Sequence, residues 1–310
     1  MSEPIIQTHQ LTKRYKEITA VNGLDITVNE GEIVGFLGPN GSGKTTTLLM
    51  LMGLSIPTSG TATVGGFNVV SSSKSVRQIA AMLPEGAGYY DDMTARQNLR
   101  YIGQLNEIPA NEVEKRIDYL LEAVDLVEWA DTKVEKYSRG MKQRLGIMQV
   151  LIKNPRVAFF DEPTLGLDPK ATKELREILI RLNKENSLTI LLSSHLLYEI
   201  EQTCQRVIII RKGKLVAADA IEDLAKHLSK DKPTLEIELT TVTSDLVQKI
   251  KDISGVTSVD RDGRKLYVYT EINNAREISE TITKSGSTIL LLKPKEYNLE
   301  EIFLNFYQGD

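Results

Sequence analysis

Eight consecutive residues, Gly38-Pro39-Asn40-Gly41-Ser42-Gly43-Lys44-Thr45, constrain this chain more than any other feature. They fit G-x-x-x-x-G-K-[ST], a glycine-rich turn whose backbone N–H groups close around phosphate oxygens. A short apolar run, Glu32 to Leu37 (EIVGFL), leads into the turn. A helix-like segment, Thr45 to Met52, leads out of it. Strand, glycine turn and helix in that order direct the positive end of a helix at the same phosphates. In this frame Lys44 contacts the β- and γ-phosphates, and the Thr45 hydroxyl ligates Mg2+.

Two more short apolar runs follow, Val157 to Phe160 (VAFF) and Leu188 to Leu192 (LTILL). Runs without alternation suit parallel strands buried on both faces. Longer patterned segments between them read as helices, so residues from about 4 to 225 predict an α/β fold. Gly60 to Asn68 and Val207 to Val216 read as additional strands, the second broken by a turn at Lys212-Gly213.

Each main run ends in polar residues. Asp161-Glu162 follows the second, and Ser193-Ser194-His195 follows the third. Alone, the two carboxylates read as an exposed turn and the histidine as a packed or capping residue. Together with the glycine turn they fall at strand C-termini, where open parallel sheets bind ligands. Asp161 then suits Mg2+, directly or through water. Glu162 suits the group that aligns an attacking water; an unperturbed glutamate has a pKa of about 4.3, so positioning outweighs basicity. Ser138 caps a helix-like segment in which Met141, Leu145, Met148 and Ile152 share one apolar face. This reads either as a capped core helix or as a second phosphate-binding helix end, with Gly140 allowing close backbone approach.

Composition narrows the field. A net charge of −4 argues against coating nucleic acid or anionic lipid by bulk charge. Residues 231–310 hold 10 basic and 14 acidic side chains and carry the whole imbalance. The single cysteine, Cys204, excludes an intramolecular disulfide and a cysteine-based zinc site. No apolar run approaches the ~20 residues of a membrane helix. The start, Met1-Ser2-Glu3-Pro4, has no signal-peptide character. These features predict a cytoplasmic chain, with any membrane span supplied by a partner.

The pattern changes near Leu228–Pro233. Strand 234–240, helix 244–253, strand 256–261, strand 265–271, helix 275–285 and strand 287–293 follow, with Asp262-Gly263 as the hairpin turn. That βαββαβ order predicts a small α+β ferredoxin-like domain. A last helix is expected from Asn298 as cap, with Leu299, Ile302, Phe303 and Phe306 on one face.

The ordered motifs of residues 4–225 closely resemble the ATP-binding subunits of ABC transporters. Walker A is GPNGSGKTT at 38–46, the signature YSRGM at 137–141, and Walker B VAFFDE at 157–162. The D-loop is Gly166-Leu167-Asp168, and His195 is the switch histidine. The resemblance implies a P-loop ATPase domain, residues 1–229, with a mixed sheet and a helical signature subdomain. An accessory or dimerisation domain, residues 230–310, follows. It implies ATP and Mg2+, with Tyr15 stacked on adenine and Gly38 to Thr46 (Thr46 included) around the phosphates. It also implies a head-to-tail dimer in which Ser138, Arg139, Gly140 and Met141 reach the ATP of the second subunit, with Asp168 at the interface.

Two departures from the common family pattern point to one branch. The signature reads YSRGM in place of LSGGQ, and Glu85, in Met82-Leu83-Pro84-Glu85-Gly86, stands where a glutamine is usual. Both are familiar in exporters resembling drug-resistance and sodium-efflux systems, whose membrane subunits are of the ABC-2 type. An ending like Tyr297-Asn298-Leu299-Glu300-Glu301-Ile302-Phe303 is also common there. Glu85 is expected to reach Mg2+, the alternative being an ordinary loop carboxylate. The competing reading is a non-transport ABC ATPase of DNA repair or translation. Repair ATPases separate Walker A from the signature by hundreds of residues; here Lys44 and Ser138 lie within one domain's length. Translation ATPases carry two nucleotide domains per chain, and this chain has one motif set. The expected partners are an ABC-2-type permease and a second ATPase subunit, with no nucleic acid, at the inner face of the cell membrane.

Overall fold

A two-residue connector, Lys16-Glu17, separates the first two strands. So short a link cannot carry a parallel crossover, and the strands pair antiparallel. The computed structural model describes residues 4–224, 235–270, 274–294 and 299–308. They fall into two units, residues 1–220 and 221–310.

In the first unit, β1 (Pro4–Tyr15), β2 (Ile18–Leu24) and β3 (Thr27–Asn29) begin an antiparallel sheet. The chain leaves it through β4 (Ile33–Leu37) and helix α1 (Lys44–Leu51), then returns with β5 (Ser59–Val64) and β6 (Phe67–Asn68). The order is β2-β1-β5-β6, with β3 also on β1. This antiparallel sheet is a correction to the simple strand–helix alternation expected from residue 4 onward.

The remainder of the unit runs α2 (Ser73–Ile79), β7 (Ala80–Leu83), α3 (Ala95–Leu105), α4 (Ala110–Ala123) and α5 (Arg139–Leu151). It continues through β8 (Val157–Asp161), α6 (Pro169–Asn186), β9 (Thr189–Ser194), α7 (Leu197–Thr203), β10 (Arg206–Arg211) and β11 (Lys214–Ala220). Strand order in the second sheet is β11-β10-β4-β9-β8-β7. It is parallel from β10 to β7, and β11 pairs antiparallel at one edge. The three apolar runs of the sequence are its centre, and Phe36, Phe159 and Phe160 are fully buried there. One core joins Ile6, Leu24 and Val64 of the first sheet to Phe36, Phe159 and Ile208 of the second, with Leu48 and Leu51 of α1 among them. The core therefore fixes α1, and the glycine turn before it, against both sheets. Between β7 and β8, α3, α4 and α5 pack on one another. A Thr94–Gln97 capping box starts α3.

In the second unit, β12 (Leu235–Leu239), β13 (Val256–Asp262), β14 (Lys265–Thr270) and β15 (Ile289–Pro294) form an antiparallel sheet of order β13-β14-β12-β15. Helices Ser244–Lys251 and Ala275–Lys284 bury Leu246, Ile250, Ile278 and Ile282 with Ile237, Leu239, Leu266 and Val268 of the strands. The element order is the expected βαββαβ. Its hairpin is shifted by one residue: Asp262 pairs with Lys265, so the loop is Gly263-Arg264, with φ 57° at Gly263. A glycine in the first loop position satisfies the turn that such a two-residue loop prefers. A last helix spans Leu299–Gln308, with Leu299 buried. The expected cap Asn298, the pattern change at Leu228–Pro233 and the boundary at 229/230 lie outside the described residues, as do the side chains of Ile302 and Phe306.

Candidate nucleotide site

The glycine turn is shaped by contacts that leave no room for side chains. A Cβ at Gly38 would lie 2.4 Å from Ser42 Oγ and 2.5 Å from the Ile210 carbonyl oxygen. Gly43 caps α1 at φ 106°, where a Cβ would meet the Ala20 oxygen at 2.4 Å. Both the left-handed backbone and the close approach of β2 require glycine at 43. Pro39 accepts a hydrogen bond from Ser42 N at 3.1 Å, which tightens the turn. Tyr15, Asn40, Gly41, Gly43, Lys44, Thr45, Thr46, Glu85 and Glu162 line a cavity of about 640 Å3 beside it.

Lys44 is buried and donates to the Gly38 carbonyl at 2.7 Å. Its Nζ also lies 3.3 Å from Glu162 Oε1. That contact is an ion pair without hydrogen-bond geometry: Glu162 Oε1 and Ser42 Oγ are both buried with no hydrogen-bond partner. Buried polar atoms are rarely left so. The Ser42 hydroxyl can donate to a phosphate oxygen, whereas the Glu162 carboxylate oxygen only accepts, as from a water.

Strand register sets the remaining chemistry. Asp161 at the end of β8 lies opposite Ser193 on β9. Ser193 Oγ donates to Asp161 Oδ1 at 2.5 Å, and Thr45 Oγ1 donates to Asp161 Oδ2 at 2.7 Å. Both carboxylate oxygens are thus held, and the Thr45 hydroxyl is locked beside them. Glu162 has φ 48°, the left-handed region, which costs a non-glycine residue about 1–2 kcal/mol. Its N–H donates to Ser193 O and Ser193 Oγ, both at 3.1 Å, which holds the strained residue in place. Strain of this kind concentrates at functional positions. Glu162 Oε2 lies 2.8 Å from His195 Nδ1, so one carboxylate bridges Lys44 and His195.

The structure brings Lys44, Thr45, Asp161, Glu162 and His195 together, as the strand ends implied. Tyr15 is 48% exposed at the cavity rim. The Lys13 ammonium stands 4.9 Å from its ring centroid, and Lys13 also donates to Ile56 O at 2.7 Å. Glu85 is exposed and shares the cavity with Thr45. Ser138, Arg139, Gly140, Met141 and Asp168 are elsewhere, none lining this cavity. Ser138 caps α5 by accepting from Met141 N at 3.2 Å, and Asp168 caps α6 by accepting from Ala171 N at 2.9 Å. These two caps adjoin: a Cβ at Gly166 would lie 2.2 Å from an Arg139 guanidinium nitrogen, and one at Gly140 would lie 3.3 Å from Ala171 Cβ.

Sequence reasoning missed four contributors. Ser193 stood in the motif that drew attention to His195, but its role depends on β8–β9 register. Ile18 and Ala20 line the cavity only because β2 folds back over the glycine turn. Lys212 lines it as well, from the tip of the β10–β11 hairpin.

Comparison with known proteins agrees with this geometry. A family model described as ABC transporter matches residues 21–165. The bacitracin transport ATP-binding protein BcrA of Bacillus licheniformis is 37% identical over 98% of this chain and 98% of its own length. The linearmycin resistance ATP-binding protein LnrL of Bacillus subtilis is 30% identical, with 97% of each chain covered. A bacterial ABC transporter cassette solved as a dimer superposes with a TM-score of 0.63 at 25% identity, covering 70% of this chain and 98% of that one. The chain belongs to the ABC transporter family, as an ATP-binding and ATP-hydrolysing subunit.

Proposed function

We propose that this subunit drives an exporter whose membrane-spanning partner is of the ABC-2 type, and that it works as one half of a head-to-tail pair at the inner face of the membrane. The observation that carries the catalytic part is the bridge from Lys44 through Glu162 to His195. The phosphates of ATP draw Lys44 away from Glu162. The Glu162 carboxylate, kept in place by His195 and by Ser193 through the backbone, then orients the attacking water. Glu162 Oε1, which has no hydrogen-bond partner, is the acceptor for the proton leaving that water.

The donor set beside the phosphates suits Mg2+. Thr45 and Asp161 offer a hydroxyl and a carboxylate, with Glu85 on the same cavity wall. Among the described residues no three histidine, cysteine or acidic side chains cluster as a metal cage. Mg2+ characteristically takes one or two protein oxygens together with substrate phosphates and water. Bound there, it would neutralise charge on the transferring phosphate. Tyr15, backed by Lys13, offers its other face to adenine.

Ser138 to Met141 and Asp168 form a second surface with an exposed helix N-terminus, outside that cavity. Pairing that surface with the Walker A cavity of a second copy would complete two composite sites. The dimeric cassette and the full-length drug-transport and resistance relatives support this reading. We read residues 230–310 as an accessory domain that strengthens pairing between ATP cycles. Affinity purification of the tagged chain from its native membranes tests the partner. A polytopic membrane protein of the ABC-2 type should accompany it; recovery with ribosomes or DNA in its place would contradict the proposal.

A further inference from the structure

The hairpin β10–β11 turns through two residues only, since Arg211 pairs with Lys214. Lys212 and Gly213 both have positive φ, 47° and 76°. A two-residue turn of this kind favours Asn-Gly, and a lysine in its first position is held in a conformation that long side chains resist. The turn is also fastened to the phosphate loop. Gly213 N donates to Ser42 O at 3.0 Å, and Asn22 N donates to Gly213 O at 2.8 Å. A Cβ on Gly213 would meet Ala20 O at 2.7 Å, so turn, β2 and phosphate loop are in direct backbone contact.

This places Lys212 on the wall of the cavity that Tyr15, Gly41, Lys44 and Thr45 also line. The two lysines differ. Lys44 is buried and faces Glu162. Lys212 is exposed, and among the described residues no carboxylate pairs with its ammonium. Backbone strain at a non-glycine residue is an observation from which function can be inferred.

We infer that Lys212 is a nucleotide-binding residue, its ammonium acting as a second cation, beside Lys44, for the phosphates of the bound nucleotide. The inference rests on the nucleotide-site reading above. A strongly hydrated point charge on a flexible stem suits phosphate from an exposed rim. The Lys212-Gly213 turn thus couples an unfavourable backbone to a charge that the more favourable Asn-Gly would lack.

The substitution K212N separates the two roles, because asparagine suits the turn and removes the charge. Titration calorimetry of the full-length chain with ATP and Mg2+ should show affinity about three- to ten-fold weaker in K212N, the size expected for an exposed charge contact. Adenosine, measured by competition, should bind both proteins equally. K212R should restore most of the ATP affinity, and the difference between K212N and wild type should shrink as salt is raised. The melting temperature of K212N should equal or exceed that of wild type. Unchanged ATP affinity in K212N, with wild type binding normally, would overturn the role of Lys212 and leave the site intact. Equal weakening for ATP and adenosine would also overturn it, since that reports a distorted turn. A wild-type chain that binds no ATP would overturn this inference and the nucleotide-site reading together.

Discussion

Glu162 answers to three neighbours and a strained backbone at once. Its side chain meets Lys44 and His195, its N–H is held by Ser193, and its backbone sits at φ 48°. Replacing the carboxylate by an amide keeps the shape and removes the acceptor for a proton. E162Q should therefore bind ATP while turnover falls by at least about a hundred-fold, the scale of a lost general base. Steady-state phosphate release beside nucleotide binding measures both, and near-normal release would move the base elsewhere. Ser193 makes a separate prediction. S193A removes the bond to Asp161 Oδ1 and one bond to the Glu162 N–H. Leaving buried partners unsatisfied costs about 1–3 kcal/mol. Thermal unfolding should begin several degrees lower, and the Mg2+ concentration for half-maximal ATPase should rise. A variant that keeps both values would show Asp161 to be positioned without Ser193.

At the scale of elements, the cap of α5 and the cap of α6 meet through Arg139 over Gly166, so signature and D-loop adjoin on one surface. Further along, just past the end of α5, Lys153 donates to the Arg77 carbonyl and is partly buried. Burial, and secondarily the nearby Arg77 charge, lowers its pKa to about 8 from the usual 10.5. The unfolded chain then binds more protons than the folded one between those values, so stability from this group rises with pH across that window and is lowest below it. K153M should flatten that rise: the difference in unfolding free energy between K153M and wild type, followed from pH 7 to 10.5, should shrink as pH increases. A difference constant with pH would place the Lys153 ammonium in solvent. The central strands of the first unit were legible because apolar runs of four to six residues end abruptly in glycine, acid or serine, and the order of the second unit from its alternating segments and the Asp262-Gly263 turn. The antiparallel sheet of β1, β2, β5 and β6 was not: its strands alternate weakly, and their pairing follows from the short link at Lys16-Glu17. The hairpin offset at Gly263 has the same origin, since two adjacent turn residues give nearly the same local signal. The site was legible wherever chemistry follows strand ends, at Asp161, Glu162 and His195. It was illegible at Ser193 and Lys212, whose roles depend on register and on which hairpin closes over the phosphate loop.

On the reading proposed above, the chemistry is divided between two surfaces, the Walker A cavity and the α5–α6 caps, and a pair of chains unites them. Removing residues 230–310 should spare ATP binding and weaken self-association in the absence of nucleotide. Sedimentation with identical association for both chains would assign that segment another role. Complementation tests the sharing of sites. S138R damages the surface offered to the neighbour, whereas K44A damages a chain's own cavity, so each alone should be inactive. Mixed, they leave one composite site intact, and nucleotide should be trapped in the mixture above the level of either variant. The most direct measurement is the mass of full-length E162Q by light scattering, with and without ATP and Mg2+. ATP should shift it to the mass of two chains, and the added K44A substitution should abolish the shift. An ATP-saturated E162Q that keeps the mass of one chain would contradict the composite site.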